Sequence, residues 1–199
     1  MDHYNVTISR QFGSLGRPIG MKLAELLNVD FYDRDIVEEA ARQLNLPLYE
    51  VSNQEEREQG NFFYMRYPLG QNSLEIRERL YEVQNQIIQD WAKKSSCVIV
   101  GRCSDYILRN EKNHINFFIY APYEAKLKNC VEDLNMKQSE AIKMMRDVDR
   151  ARNLYHKRHT RFNQHDLEYN HVMIDSSMLG VDGTAEMMAL IVKKRFNLD

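Results

Sequence analysis

The sequence predicts an α/β fold of three layers, α/β/α, with a central parallel sheet and a helical lid. Three observations carry that expectation. Short strands alternate with amphipathic helices along the whole chain, the pattern that builds a parallel sheet through helical crossovers. Two strands, Cys97-Val98-Ile99-Val100 and Ile115–Tyr120, are almost continuously apolar, as strands buried on both faces must be. And the first strand runs into a glycine-bearing turn and a helix opened by proline, Val6-Thr7-Ile8-Ser9-Arg10-Gln11-Phe12-Gly13-Ser14-Leu15-Gly16-Arg17-Pro18.

The elements follow in order. Tyr4–Ser9 alternates and is rich in β-forming residues, so it reads as a strand. From Arg17 to Leu27 the apolar residues Ile19, Leu23, Leu26 and Leu27 fall on one helical face. Val29–Tyr32 reads as a second short strand, ended by Asp33-Arg34-Asp35. Ile36–Leu44 is helical, and Asn45 with Pro47 stops it. Residues 48–72 are polar and irregular, with Gly60 and Pro68-Leu69-Gly70, and are expected to form a flap over a site. Ser73 begins a long helix to about Lys94, striped by Leu80, Val83, Ile87, Ile88 and Trp91. After the strand at 97–100 come a helix from Ser104 to about Arg109 and the strand Ile115–Tyr120. Tyr123–Leu134 and Ser139–His159 read as helices, Val172–Asp175 as a last strand and Thr184–Arg195 as a closing helix.

Composition bounds the function. At 199 residues, 43% apolar and 28% charged, the chain fits a single domain spanning 1–199 with a real core. A formal net charge of −2 argues against a general nucleic-acid-binding surface. No apolar run approaches the roughly 18 residues of a membrane span, and no signal peptide precedes Val6. Cys97, Cys103 and Cys130 are three in number and lack C-x-x-C spacing, which fits a cytoplasmic protein better than a disulfide framework or a zinc site.

In an open parallel sheet, ligands sit beyond the carboxyl ends of the strands. The first strand delivers residues 9–17 there, the second Asp33, the third Gly101-Arg102 and the fourth Ala121-Pro122. A turn followed by a helix N-terminus aims backbone N–H groups at an anion. The standard phosphate loop, G-x-x-x-x-G-K-[ST], adds a lysine and a hydroxyl. Here Arg17 and Pro18 follow Gly16, so a cation remains and the adjacent hydroxyl does not; the other reading of Gly13 and Gly16 is a plain strand–helix turn. Arg146, Arg150 and Arg152 cluster on a helix whose basic stretch continues through Arg158 and Arg161. On that helix Asp149, Arg152 and His156 share one face, and Arg146 with Arg150 another. Arginine forks suit a spread phosphoryl charge; a solvated face laced with salt bridges is the alternative. Arg102, directly after a buried strand and a glycine, suits an anionic substrate or a carboxylate at the sheet edge. Asp33 suits a metal-bound water or a base, and equally the N-cap of the following helix. Cys103 has no evident histidine partner and reads as packing; the six histidines lack ligand spacing, and the methionines read as core.

These residues resemble a known family. Ile8-Ser9-Arg10-Gln11-Phe12-Gly13-Ser14, Gly16-Arg17, Phe31-Tyr32-Asp33, Val98–Cys103 with Asp105-Tyr106-Ile107-Leu108, Phe118–Pro122, Val148-Asp149 with Arg152 and Tyr155, and Ile174–Ser177 match the cytidylate kinase-like proteins in order. Those proteins are similar to nucleoside monophosphate kinases of the P-loop NTPase type. The resemblance implies transfer of the γ-phosphoryl group of ATP to CMP or dCMP with Mg²⁺, small-molecule nucleotides as partners, and neither nucleic acid nor membrane. It implies that Gly13, Ser14, Gly16 and Arg17 cradle the ATP phosphates and that Arg102 and Asp105 hold the acceptor. Arg146, Arg150 and Arg152 would act from a lid over 137–165, and Asp33 near the reacting groups. Residues 48–94 would form an acceptor-side flap and helix, with Ser9 or Ser14 replacing the missing hydroxyl on magnesium. The chain departs from the standard pattern at Arg17-Pro18, at Cys103, where an aspartate is usual, and throughout 48–72. Those departures leave two other readings: a nucleotide-binding regulatory protein, weak or inactive in catalysis, and a kinase for a different small acceptor.

Overall fold

A computed structural model describes residues 3–33, 35–45 and 73–198, with side chains in the last stretch from residue 78 onward. The expected flap at 48–72 lies outside the described residues. Five parallel strands stand in the order β2-β3-β1-β4-β5: β1 Asn5–Arg10, β2 Asp30–Tyr32, β3 Cys97–Val100, β4 His114–Tyr120 and β5 Val172–Asp175. The first strand is therefore central. Ile8 stands level with Val100 on one side and Phe117 on the other, so β1, β3 and β4 deliver their carboxyl ends side by side. The chain passes from one side of β1 to the other between β3 and β4, and this reversal opens a crevice at the strand ends.

Pleating sorts the strand residues between two cores. Val6, Ile8, Val98, Val100, Ile115, Phe117 and Ile119 face one layer, formed by α1 (Gly16–Leu27) and α7 (Gly180–Phe196). Ile19 and Leu23 of α1 and Met188, Val192 and Phe196 of α7 recur at helical spacing and fill it. Cys97 and Ile99 face the opposite layer, where α2 (Asp35–Gln43) and α3 (Ser73–Lys94) contribute Ile36, Ala40, Leu80, Ile87 and Ile88. Burial on both sides is why β3 is apolar at every position. A third, smaller cluster joins Cys130 of α5 (Tyr123–Glu132) to Ala141 and Met145 of α6 (Gln138–Thr160), with Phe12 packed against it. The short α4 (Ser104–Ile107) follows β3, and a 3-10 turn, Leu167–Tyr169, precedes β5.

The three-layer parallel fold is the one the sequence predicts, and the elements differ from expectation mainly at their ends. The last helix begins at Gly180 rather than Thr184, and the Gly180 N–H donates to Ser176 O (3.0 Å) at its start. The helix after β3 stops at Ile107, short of Arg109. Among the described residues, no helix is long and apolar enough to cross a membrane.

Candidate active site

The loop between β1 and α1 is shaped by its own backbone and held from four directions. Gly13 lies at φ +78° and Leu15 at φ +57°, the left-handed region that folds the chain back onto the helix start. A Cβ at Gly13 would stand 2.9 Å from both Cys130 Sγ and Lys126 O, so the loop rests directly on α5. Ser14 Oγ donates to Gln11 O (2.9 Å) and Ile119 O (3.2 Å), Ser176 Oγ donates to Ser14 O (2.8 Å), and Asn129 Nδ2 donates to Gly13 O (2.8 Å). The Phe12 N–H donates to Asp149 Oδ1 of α6 at 2.6 Å, while Lys126 Nζ donates to Asp149 Oδ2 at 3.3 Å. Local turn chemistry sets the curve; α5, α6 and the segment after β5 fix it in place.

Arginines gather around this loop. Arg10 ends β1, and its guanidinium passes through a gap that two glycines leave open. A Cβ at Gly16 would meet Arg10 Cβ at 2.7 Å, and one at Gly101 would collide with Arg10 Nη1. Arg10 Nη2 is 3.8 Å from Asp33 Oδ1, and its side chain is 16% exposed. Arg152, projecting from α6, donates from Nη1 to Arg10 O at 3.3 Å. Arg102 follows Gly101 within a run of three left-handed residues, Gly101, Arg102 and Cys103, at φ +78°, +58° and +55°. Two consecutive non-glycine residues in that region are costly, and such strain concentrates at functional sites. Burial, together with Arg152 and Arg102, pushes the Arg10 guanidinium well below its ordinary value against the pull of Asp33 and Asp149. Burial also lowers Arg152, helped by Arg102 and opposed by Asp149 and Asp33. Among the described residues, the cations Arg10, Arg17, Arg102, Arg152 and Lys126 stand near the carboxylates Asp33 and Asp149 at the strand ends, five positive charges to two negative. Buried charge of one sign is stabilised by a counter-charge.

The residues expected from the sequence divide in space. Gly13, Gly16, Arg17, Asp33, Arg102 and Arg152 come together at the strand ends. Arg17 is 54% exposed; its Nε donates to Asp33 Oδ2 at 2.8 Å, and its Nη1 lies 3.5 Å from Met21 Sδ, one turn along α1. Asp33 is buried beside two guanidiniums, Arg17 at 2.8 Å and Arg10 at 3.8 Å. Arg146 and Arg150 stand exposed on a face of α6 turned away from Asp149 and Arg152, with Arg146 Nε on Asp147 Oδ1 at 2.9 Å. Asp105 is buried and accepts from, or shares a proton with, His156 Nε2 at 2.8 Å; His156 Nδ1 lies 3.1 Å from Phe162 O and 3.0 Å from Thr160 Oγ1. This pair ties the turn that carries Arg102 to the helix that carries Arg152 through Asp105 Oδ2.

Sequence reasoning missed Arg10, Lys126 and the His156–Asp105 pair. Arg10 had one available signal: an arginine closing an otherwise buried strand, immediately before the glycine turn. The other two depend on contacts between distant segments.

Among the described residues, the expected magnesium ligands are buried or engaged elsewhere. Ser9 and Ser14, the expected hydroxyl ligands, are both buried, and Ser14 is committed to backbone carbonyls. Asp33 is occupied by Arg17 and Arg10, and among the described residues no group of three His, Cys, Asp or Glu is placed to hold a metal. These residues do not fit a magnesium ion held by the protein; a metal that enters with a nucleotide takes its oxygens from phosphates and water.

Comparison with known proteins agrees with this geometry. Residues 5–178 match the cytidylate kinase-like family. An uncharacterized protein from Eubacterium ventriosum superposes with a TM-score of 0.73 at 24% identity, covering 96% of this chain and 99% of its own. Shikimate kinase from Acinetobacter baumannii, solved in complex with shikimate, gives 0.52 at 19% identity over 98% of this chain and 94% of its own. Shikimate kinase from Bacteroides thetaiotaomicron gives 0.53 at 9% identity over 98% and 99%. At such identities the likeness establishes the fold. No curated protein matches the chain.

Proposed function

The chain belongs to the cytidylate kinase-like family, and from that premise we propose that it transfers a phosphoryl group from ATP to a nucleoside monophosphate, with CMP or dCMP the first acceptor to test. The observation that supports this reading is the excess positive charge at the carboxyl ends of β1 and β3, beside a loop and helix start built to meet an anion. The donor phosphates lie along Gly13, Ser14, Gly16 and the start of α1, with Arg17 at the rim. Arg102 holds the acceptor phosphate, and Arg152 reaches the space between the two from α6. Arg146 and Arg150 serve a closing movement of α6, since the present arrangement keeps them in water.

Catalysis in this site is positioning and charge neutralisation. A phosphoryl group in flight spreads its charge over three oxygens, and guanidinium forks held by buried partners meet those oxygens without reorganising. Holding donor and acceptor at adjacent strand ends supplies the in-line approach. The test is direct: incubate the purified chain with ATP, Mg²⁺ and a panel of nucleoside monophosphates and follow ADP. ADP released only with a pyrimidine monophosphate supports the reading. Absence of turnover with every acceptor refutes it.

The Arg17-Pro18 start of α1, which lacks the hydroxyl of a standard phosphate loop, favours a second reading: a nucleotide-binding regulatory protein. Calorimetry separates the two, because that protein binds ATP or CMP and releases no ADP. Release of ADP with a non-nucleotide acceptor instead assigns a different small substrate.

A further inference from the structure

We propose that Arg10, rather than Arg17, is the side chain that grips the transferred phosphoryl group. The assignment rests on the phosphoryl-transfer reading and names the cation of that same site. A loop that lacks the usual lysine needs a fixed positive charge between the donor and acceptor halves, and the two arginines offer it very differently. Arg17 is 54% exposed, lies back along α1 towards Met21 and is engaged by Asp33. A guanidinium that is more than half in solvent and already paired with a carboxylate contributes little further.

Arg10 is built in. It leaves the central strand where β1 and β3 end together, and Gly16 and Gly101 both lack the Cβ that would block its path. Gly16 of the donor loop lies beside the Arg10 Cβ and Cγ, and Gly101, which precedes the acceptor arginine, lies beside the guanidinium, so the side chain runs from one half to the other. Its backbone carbonyl is pinned by Arg152. Its carboxylate neighbour, Asp33, stands at 3.8 Å, beyond direct hydrogen-bonding reach, and already takes the Arg17 Nε at 2.8 Å. The side chain keeps 16% of its surface open. A planar fork in that position matches two phosphate oxygens, which an exposed lysine substitute would not do.

Calorimetric titration of the purified full chain with pyrophosphate and with ATP tests the assignment. Wild type binds both, and pyrophosphate raises its Tm. Arg10→Gln weakens both ligands by roughly 10- to 100-fold. It melts within a few degrees of wild type in anion-free buffer and loses the pyrophosphate-induced rise, a readout that a purely structural role would leave in place. Arg17→Ala weakens binding by no more than about threefold. The reverse order, with Arg17→Ala severe and Arg10→Gln mild, overturns the proposal. Should Arg10→Gln fail to fold, Arg10→Lys decides: a weakening of roughly three- to tenfold supports the fork, and wild-type affinity overturns it. A wild type that binds neither pyrophosphate nor ATP refutes the phosphoryl-transfer reading itself, and the assignment falls with it.

Discussion

Gly101→Ala separates the cost of a backbone conformation from the cost of moving a side chain. Gly101 lies at φ +78°, where alanine is disfavoured by about 1–2 kcal/mol. The new Cβ would overlap Arg10 Nη1 and stand 3.4 Å from its Cζ. The atom it strikes is the tip of a flexible side chain, so the guanidinium yields and the collision itself adds little to the stability cost. Urea unfolding is therefore expected to show a loss of about 1–2 kcal/mol. Phosphate affinity suffers more, because the yielding group is the proposed cation: pyrophosphate binding is expected to fall by roughly tenfold or more. The double variant Arg10→Ala/Gly101→Ala closes the cycle. Its stability penalty at residue 101 persists, since φ is unchanged, while the second substitution costs no further pyrophosphate affinity. Wild-type pyrophosphate binding by Gly101→Ala, or affinity losses that simply add in the double variant, refutes the claim that Gly101 exists to make room for Arg10.

Three further outcomes are expected. Gly13→Ala combines φ +78° with a contact of 2.9 Å to the Lys126 backbone carbonyl, which cannot swing away, so unfolding should show a loss of about 2–4 kcal/mol, larger than at Gly101. His156→Ala leaves the buried Asp105 carboxyl without its 2.8 Å partner and should cost about 3–5 kcal/mol by urea unfolding; a loss under about 1 kcal/mol would show that the pair does not fasten α4 to α6. His114 is buried, with Nε2 2.7 Å from Thr7 Oγ1; burial, aided by His171 and opposed by Asp105, pushes it down to about 4. Its folded value lies below its unfolded value near 6.5, so the folded state excludes a proton that the unfolded chain takes up. The associated stability is complete above pH 6.5 and declines as pH falls towards 4, by up to about 3 kcal/mol. His114→Gln should flatten that part of the stability–pH curve, and an unchanged slope would assign it to other groups.

The fold was legible because its signals are local. An unbroken apolar β3 announces burial on both faces, and Ile19 with Leu23 marks the inner side of α1. Strand order is set by pairing between segments far apart, and no spacing in the sequence announces that β3 inserts between β2 and β1. The gathering of glycines, arginines and Asp33 at the strand ends was legible; the contacts that each side chain makes there were not. Motif spacing selects Arg17 because it follows Gly16. It passes over Arg10, whose path exists only because Gly101 arrives on a neighbouring strand. Helical periodicity places Asp149, Arg152 and His156 on one face of α6, but it cannot show that His156 closes on Asp105, 51 residues away, while Arg152 reaches Arg10 O. The flap expected at 48–72 lies outside the described residues.

The Phe12 N–H rests on Asp149 at 2.6 Å, so one donor of the loop already holds a tethered anion. A phosphate that settles on that donor exchanges one oxygen partner for another and gains no hydrogen bond there. A carboxylate on the same chain competes at high effective concentration, which subtracts from nucleotide affinity and keeps the loop in shape between ligands. Arg152 of the same helix donates to Arg10 O and Phe12 packs beside Met145, so the loop is fastened to α6 at more than one point and its curve is set in advance of any ligand.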